Sequence, residues 1–78
     1  SYMYLRSNNT LTFTVPESYK IVEIKITTYS SSYKLYASAD SGSYDQPTAT
    51  WTGESNQVVL TNTGSATYLK KFTVTYKD

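Results

Sequence analysis

The chain has 78 residues and a formal net charge of +1, with no His and no Cys but nine Tyr, thirteen Thr and eleven Ser. That length allows one domain, and the near-neutral charge gives no reason to expect nucleic acid or an anionic membrane surface as a partner. Without His or Cys, the usual nucleophile–base pairs and soft metal sites cannot be built. The composition therefore argues against an enzyme and predicts no cofactor.

The first half of the chain predicts three strands. Residues 2–6 form a short one. Residues 10–15 alternate strictly between apolar and Thr side chains, which is typical of a half-buried strand, and Pro16 ends it because proline cannot donate to a ladder. Residues 22–29 alternate again, and Ile21 is expected at the entrance of this strand because it breaks the phase.

Four further strands are predicted, at residues 33–38, at an edge over 48–52, and at 56–62 and 68–76. Asp and Gly mark turns between them, with Trp51–Glu54 expected to close the edge strand and enter a turn. The apolar positions expected to face inward together are Leu11, Phe13, Val22, Ile24, Ile26, Val58 or Val59, Phe72 and Val74. No segment shows a helical period, so five to seven short antiparallel strands predict an all-β fold, a small β-sandwich or jelly-roll-like module.

Six short motifs follow one another in the chain: Leu5-Arg6, Asn8–Phe13, Pro16–Ile24, Trp51–Gly53, Val58–Leu60 and Val74–Tyr76. Their order resembles a family of repeat-like modules in secreted and cell-surface proteins of gut anaerobic bacteria. The resemblance implies a β-sandwich accessory module with no assigned ligand and no catalytic residues. In such proteins a strand-rich segment often precedes the first motif. Two expectations therefore stand side by side: one module over residues 1–78, or the C-terminal part of a larger domain.

Four aromatic residues are the candidate ligand contacts: Trp51, Tyr36, Tyr44 and Tyr33. An exposed Trp51 beside Tyr36 and Tyr44 would stack on a sugar, because the C–H face of a pyranose suits an aromatic platform. The competing interpretation places Trp51 in the core, where a single Trp of a small domain is usually found. Surface Tyr among Ser and Asn is the composition of adaptable binding surfaces, and of β-rich surfaces in general.

Three carboxylates in the loop-rich middle are the candidates for chemistry: Asp40, Asp45 and Glu54. A close pair would suit sugar hydrolysis, and oxygen ligands in a flexible loop would suit calcium. Asp40 and Asp45 lack the dense Asp/Asn/Gly spacing of a calcium loop. The sequence therefore predicts a turn-forming Asp40, two solvated carboxylates and no metal.

Two functions stay open. The first is a non-catalytic accessory module of an exported bacterial protein that binds carbohydrate or another surface polymer through exposed aromatics. The second is a structural spacer, or an adhesin- or pilus-type module that joins another protein chain or a neighbouring domain by strand addition. Both predict a secreted or cell-surface location without membrane insertion. A single solvent-facing patch of Trp51, Tyr36 and Tyr44 would favour the first function, and their burial the second.

Overall fold

The computed structural model describes residues 2–78 and shows two antiparallel sheets. Its eight strands are β1 (Met3–Leu5), β2 (Thr10–Thr14), β3 (Lys20–Thr28), β4 (Ala37–Ala39), β5 (Ser43–Asp45), β6 (Thr50–Ser55), β7 (Gln57–Asn62) and β8 (Thr67–Lys77). One sheet has the strand order β1-β8-β3-β6-β5 and the other β2-β7-β4. A short 3-10 helix, Gln46–Thr48, joins β5 to β6. The predicted small antiparallel β-sandwich is confirmed, with eight strands rather than five to seven.

The core lies between the two sheets. Alternation along each strand turns every second side chain inward, and the buried set is Leu5, Leu11, Ile21, Ile24, Ile26, Leu35, Trp51, Val58, Leu60 and Leu69. Each of these is at most 8% exposed, and burying one large aliphatic side chain stabilises the fold by about 1.5–3 kcal/mol. Phe13, Phe72 and Val74 are partly buried and pack against this set. The inward face predicted for β2, β7 and β8 is therefore largely confirmed.

Two bulges in β3 and β8 change which residues face inward. The register shifts between Ile21 and Glu23, and a bulge adds a residue to one strand. Ile21 and Ile24 consequently both enter the core, whereas Val22 is only half-buried. Ile21 lies at the entrance of β3, as predicted, but it is fully buried there, and the prediction that Val22 faces the core is wrong.

The second bulge lies where β3 meets the first half of β8. Thr27 pairs with Lys71 but Thr28 pairs with Leu69, so β8 carries one residue more than β3. Leu69 and Phe72 therefore both face inward although three positions separate them. Lys70, which the period of two placed on the same face as Phe72, is exposed.

Residues 43–55 contain two paired strands instead of the one short edge strand predicted over 48–52. β5 is the edge of the sheet, and β6 lies between β3 and β5. β6 also continues through Gly53, where a turn was expected. A Cβ on Gly53 would lie 2.8 Å from a ring carbon of Trp51, so the glycine allows close packing on the indole ring within an extended strand.

No helix in residues 2–78 is both long and apolar enough to cross a membrane.

Candidate functional site

Trp51 is a core residue in this structure. It is 0% exposed, and its Nε1 donates a hydrogen bond to the Ser41 carbonyl oxygen at 2.7 Å. Its ring lies against Gly42 and Gly53, where added Cβ atoms would come within 2.9 Å of ring carbons. The structure thus agrees with the interpretation that places Trp51 in the core, and no face of its ring is open to a ligand.

Tyr44 is only partly exposed and packs against the core. It pairs with Trp51 across β5 and β6, is half-buried, and donates its hydroxyl to the Leu35 carbonyl oxygen at 2.6 Å. Burial, with smaller contributions from Tyr33 and Asp45, raises the pKa of Tyr44 from 10.0 to about 12. The Tyr44 side chain therefore links the loop before β4 to the edge strand β5.

This raised pKa predicts a loss of stability in alkali. Tyr44 ionises near pH 10 in the unfolded chain but only near pH 12 in the fold, so its contribution is complete below pH 10 and disappears as the pH rises toward 12. We expect the urea midpoint to fall over this range, and Tyr44→Phe to show a shallower fall. Exposed Tyr76 gives the matched control, because Tyr76→Phe should follow the wild type. A Tyr44→Phe chain with the wild-type slope would contradict the assignment.

Tyr33 and Tyr36 form a pair away from Trp51. Their ring centroids are 6.2 Å apart, Tyr36 is 48% exposed, and both side chains border Gly64 in the connection between β7 and β8. The structure therefore brings the four predicted residues together as two pairs, Tyr33 with Tyr36 and Tyr44 with Trp51, and does not form one solvent-facing patch of Trp51, Tyr36 and Tyr44. Neither outcome named for these three residues is met in full, because Trp51 is buried whereas Tyr36 is 48% exposed.

The three carboxylates have separate local partners. Asp40 accepts a hydrogen bond from the Val59 N–H at 2.9 Å, and Asp45 accepts one from the Thr48 hydroxyl. Glu54 forms an exposed ion pair with Lys77 at 2.6 Å, and the hydrogen bond from Lys77 holds the pKa of Glu54 below its usual value. Residues 2–78 contain no group of three or more His, Cys, Asp or Glu side chains placed to hold a metal.

Four other tyrosines form an exposed cluster at one end of the five-stranded sheet. Tyr4 and Tyr68 are register partners with ring centroids 4.8 Å apart. Tyr2 and Tyr29 meet edge to face, also with centroids 4.8 Å apart. Each ring is between 49% and 64% exposed. We call Tyr2, Tyr4, Tyr29 and Tyr68 the tyrosine cluster.

Buried neighbours in the chain turn the members of the cluster outward. Tyr4 precedes Leu5, Tyr68 precedes Leu69, and Tyr29 follows Thr28, and all three neighbours are buried. Adjacent side chains of an extended strand point to opposite faces. The Tyr29 N–H also donates to the Tyr68 carbonyl oxygen at 2.9 Å, which holds the end of β3 beside β8.

The cluster borders a shallow groove of about 310 Å³ lined by Tyr2, Tyr29 and Tyr68. The guanidinium of Arg6 lies 6.0 Å from the ring centroid of Tyr4, outside that lining. Tyrosine presents an apolar ring face and a hydroxyl that donates and accepts. The groove can therefore take a flat, uncharged group that has an apolar face and polar edges.

A second groove, of about 500 Å³, lies on the outer face of the same sheet. Residues of β3, β5 and β6 line it together with one residue of the 3-10 helix: Glu23, Lys25, Ser43, Tyr44, Asp45, Thr50, Thr52 and Thr48. We call it the polar groove. Its lining is rich in hydroxyls and contains both signs of charge.

Comparison with known proteins gives no match to this chain, whether against protein-family models, curated proteins or solved structures.

Proposed function

We propose that the chain is a non-catalytic carbohydrate-binding module of an exported bacterial protein, and that the tyrosine cluster is its sugar-binding surface. The observation that carries the proposal is the presence of four half-exposed tyrosine rings on one face of the sheet. Contiguous apolar patches of this kind mark interaction sites. The exposed aromatic residues that support this proposal lie next to and on β1, on β8 and after β3, and Trp51 is not among them. The Thr- and Ser-rich, charge-poor composition supports a secreted or cell-surface location.

Stacking should dominate the binding energy. The groove beside the cluster is lined by tyrosine alone, and its volume is at the lower end of the range for ligand sites, about 300–1,000 Å³. A shallow site of this size covers little of a polymer, so the affinity is weak. Because no charged side chain lines it, added salt should leave the affinity unchanged.

Removing one ring from the cluster should abolish most of the binding. We expect neutral polysaccharides in a native gel (mixed-linkage β-glucan, xylan or mannan) to retard the wild-type chain, at low salt and in 1 M NaCl alike. Tyr29→Ala or Tyr68→Ala should weaken the retardation about tenfold, as expected for the loss of one aromatic contact. The matched control is Tyr36→Ala, which removes an equally exposed tyrosine outside the cluster and should behave as wild type.

The proposal fails if none of these polysaccharides retards the wild-type chain, or if Tyr36→Ala weakens binding as much as Tyr68→Ala does. Circular dichroism of each variant shows whether the β-fold is retained, so that lost binding is not confused with lost structure.

Strand addition is the second candidate function. The edge strand β1 carries no charge, and Met3 and Tyr4 on it are each 49% exposed, as is the adjacent Tyr2. Natural edge strands are usually protected by charged side chains, proline or bulges, and an unprotected edge is a template for another chain. Light scattering on the same preparations separates the candidates: a mass that rises with concentration favours strand addition, and a constant monomer favours carbohydrate binding.

A further inference from the structure

We propose that the bound polymer is an uncharged polysaccharide that lies along β3, with one part of the bound segment on the tyrosine cluster and the other in the polar groove. This inference rests on the proposed function. It adds a second binding region, a direction for the chain and a ligand class.

One strand connects the two regions. Glu23 and Lys25 of β3 line the polar groove, and Tyr29, the residue directly after this strand, lines the groove beside the tyrosine cluster. Because strands rise about 3.3 Å per residue, Glu23 and Tyr29 are roughly 20 Å apart along the sheet. A single sugar ring reaches only one region, whereas an extended oligosaccharide reaches both.

The strand register arranges the polar side chains in two parallel rows across the sheet. The first row is Ser43–Thr52–Glu23–Thr75, and the second is Asp45–Thr50–Lys25–Thr73. The row between them, Tyr44–Trp51–Ile24–Val74, faces the core. Neighbouring strands are about 4.8 Å apart, so hydroxyls and charged groups recur at regular intervals over the face. Such an array can donate to and accept from the hydroxyls of successive sugar rings.

The charged members of the rows keep their hydrogen-bonding capacity for a ligand. Within residues 2–78 the side chains of Glu23 and Lys25 form no hydrogen bond and no ion pair, the single ion pair there being Lys77–Glu54. Glu23 is nevertheless only partly exposed. Hydrogen bonds to charged groups contribute more than those between neutral groups, so these two side chains should carry much of the recognition in the polar groove.

Charge selects the ligand class. The lining of the polar groove contains two carboxylates and one ammonium group, while the other groove is lined by neutral tyrosines. An excess of negative charge disfavours polyanionic glycans such as uronates and sulfated chains. A neutral polymer of pyranose rings fits both regions.

The test is the dependence of affinity on ligand length. Cello-, xylo- and manno-oligosaccharides of two and six units are titrated into the wild-type chain and three lysine or tyrosine variants, with calorimetry or amide NMR shifts as the readout. We expect Lys25→Ala to weaken the six-unit ligand about fivefold, the effect of roughly one hydrogen bond, and to leave the two-unit ligand unchanged. Tyr68→Ala should weaken both. Lys34→Ala, an exposed lysine before β4, is the matched control and should bind as wild type.

The outcomes distinguish this inference from the proposed function. If Lys25→Ala binds the six-unit ligand as tightly as wild type while Tyr68→Ala does not, the polysaccharide does not run along β3. Only this inference is then overturned. A six-unit ligand that binds no tighter than a two-unit one overturns it as well. Stronger binding of polygalacturonate or heparin than of every neutral polymer overturns the ligand class. Absence of binding by every probe overturns both proposals.

Discussion

Replacing Trp51 by Ala is expected to lower the free energy of unfolding by about 3–5 kcal/mol, as for other buried aromatic residues. Trp51 is fully buried, so the change removes the contacts of an entire indole and leaves a cavity between the sheets. It also deprives the Ser41 carbonyl of the Nε1 donor. Small domains have little stability in reserve, so a large part of the variant population should be unfolded at 25 °C.

Urea unfolding followed by circular dichroism measures this effect, because the variant lacks the only tryptophan. Trp51→Phe retains most of the ring volume but not the N–H group, and should cost about 1–2 kcal/mol less than Trp51→Ala. Tyr36→Ala removes an aromatic ring that is 48% exposed and should stay within about 1 kcal/mol of wild type. A Trp51→Ala chain with the wild-type midpoint would show that the indole is not a core group.

Asn62→Ala should have the second large effect, about 3 kcal/mol, because several buried or part-buried backbone groups lose a partner at once. Asn62 is 1% exposed. Its Nδ2 donates to the carbonyl oxygens of Arg6 and Ser65 at 3.2 and 3.1 Å, with a longer contact of 3.4 Å to that of Leu5. Its Oδ1 accepts from the Gly64 N–H at 2.9 Å. One side chain thus joins the end of β1 to the connection between β7 and β8.

Hydrogen exchange is the informative measurement for this variant, along with the unfolding midpoint. In Asn62→Ala we expect the amides of β1 and of Gly64 to lose their protection from exchange earlier than the amides of β3 do. Asn9→Ala alters an exposed asparagine of the neighbouring loop and should change the stability by no more than about 0.5 kcal/mol. Unchanged protection of β1 in Asn62→Ala would refute the role of Asn62 as a clamp.

Period-two alternation was sufficient to predict most of the sandwich. It placed Leu11, Ile24, Ile26 and Val58 inward, and all four are buried. The signal is reliable where a strand is regular, because one face must avoid water along its whole length. It fails at a bulge, where an added residue reverses the phase without any distinctive residue type, and this is why Ile21 and Leu69 were not predicted in the core.

Gly53 is the reason why the sequence did not predict the full length of β6. A glycine after Trp-Thr favours a turn when read locally, but here the indole ring takes the space of the missing side chain. That contact depends on how β5, β6 and their connection fold over Trp51. Local sequence does not contain this information.

The candidate site required knowledge of the register. Alternation with Leu5 and Leu69 indicates that Tyr4 and Tyr68 point outward, a signal available in the sequence. It does not indicate that residues 2–4, 29 and 68 share one end of a sheet, because the pairing of β1 with β8 is long-range. Loop position and polar neighbours instead favoured Tyr33, Tyr36 and Tyr44 as the candidate ligand contacts.

The position of β1 ties ligand affinity to local order. This three-residue strand pairs only with β8, yet Tyr4 and the adjacent Tyr2 supply half of the proposed sugar platform. Short edge strands open more readily than central strands, and a ligand binds only the fraction of molecules in which β1 is paired. Ligand binding and the pairing of β1 with β8 are then thermodynamically linked. A change that stabilises this pairing raises the affinity, and bound polymer in turn stabilises the pairing.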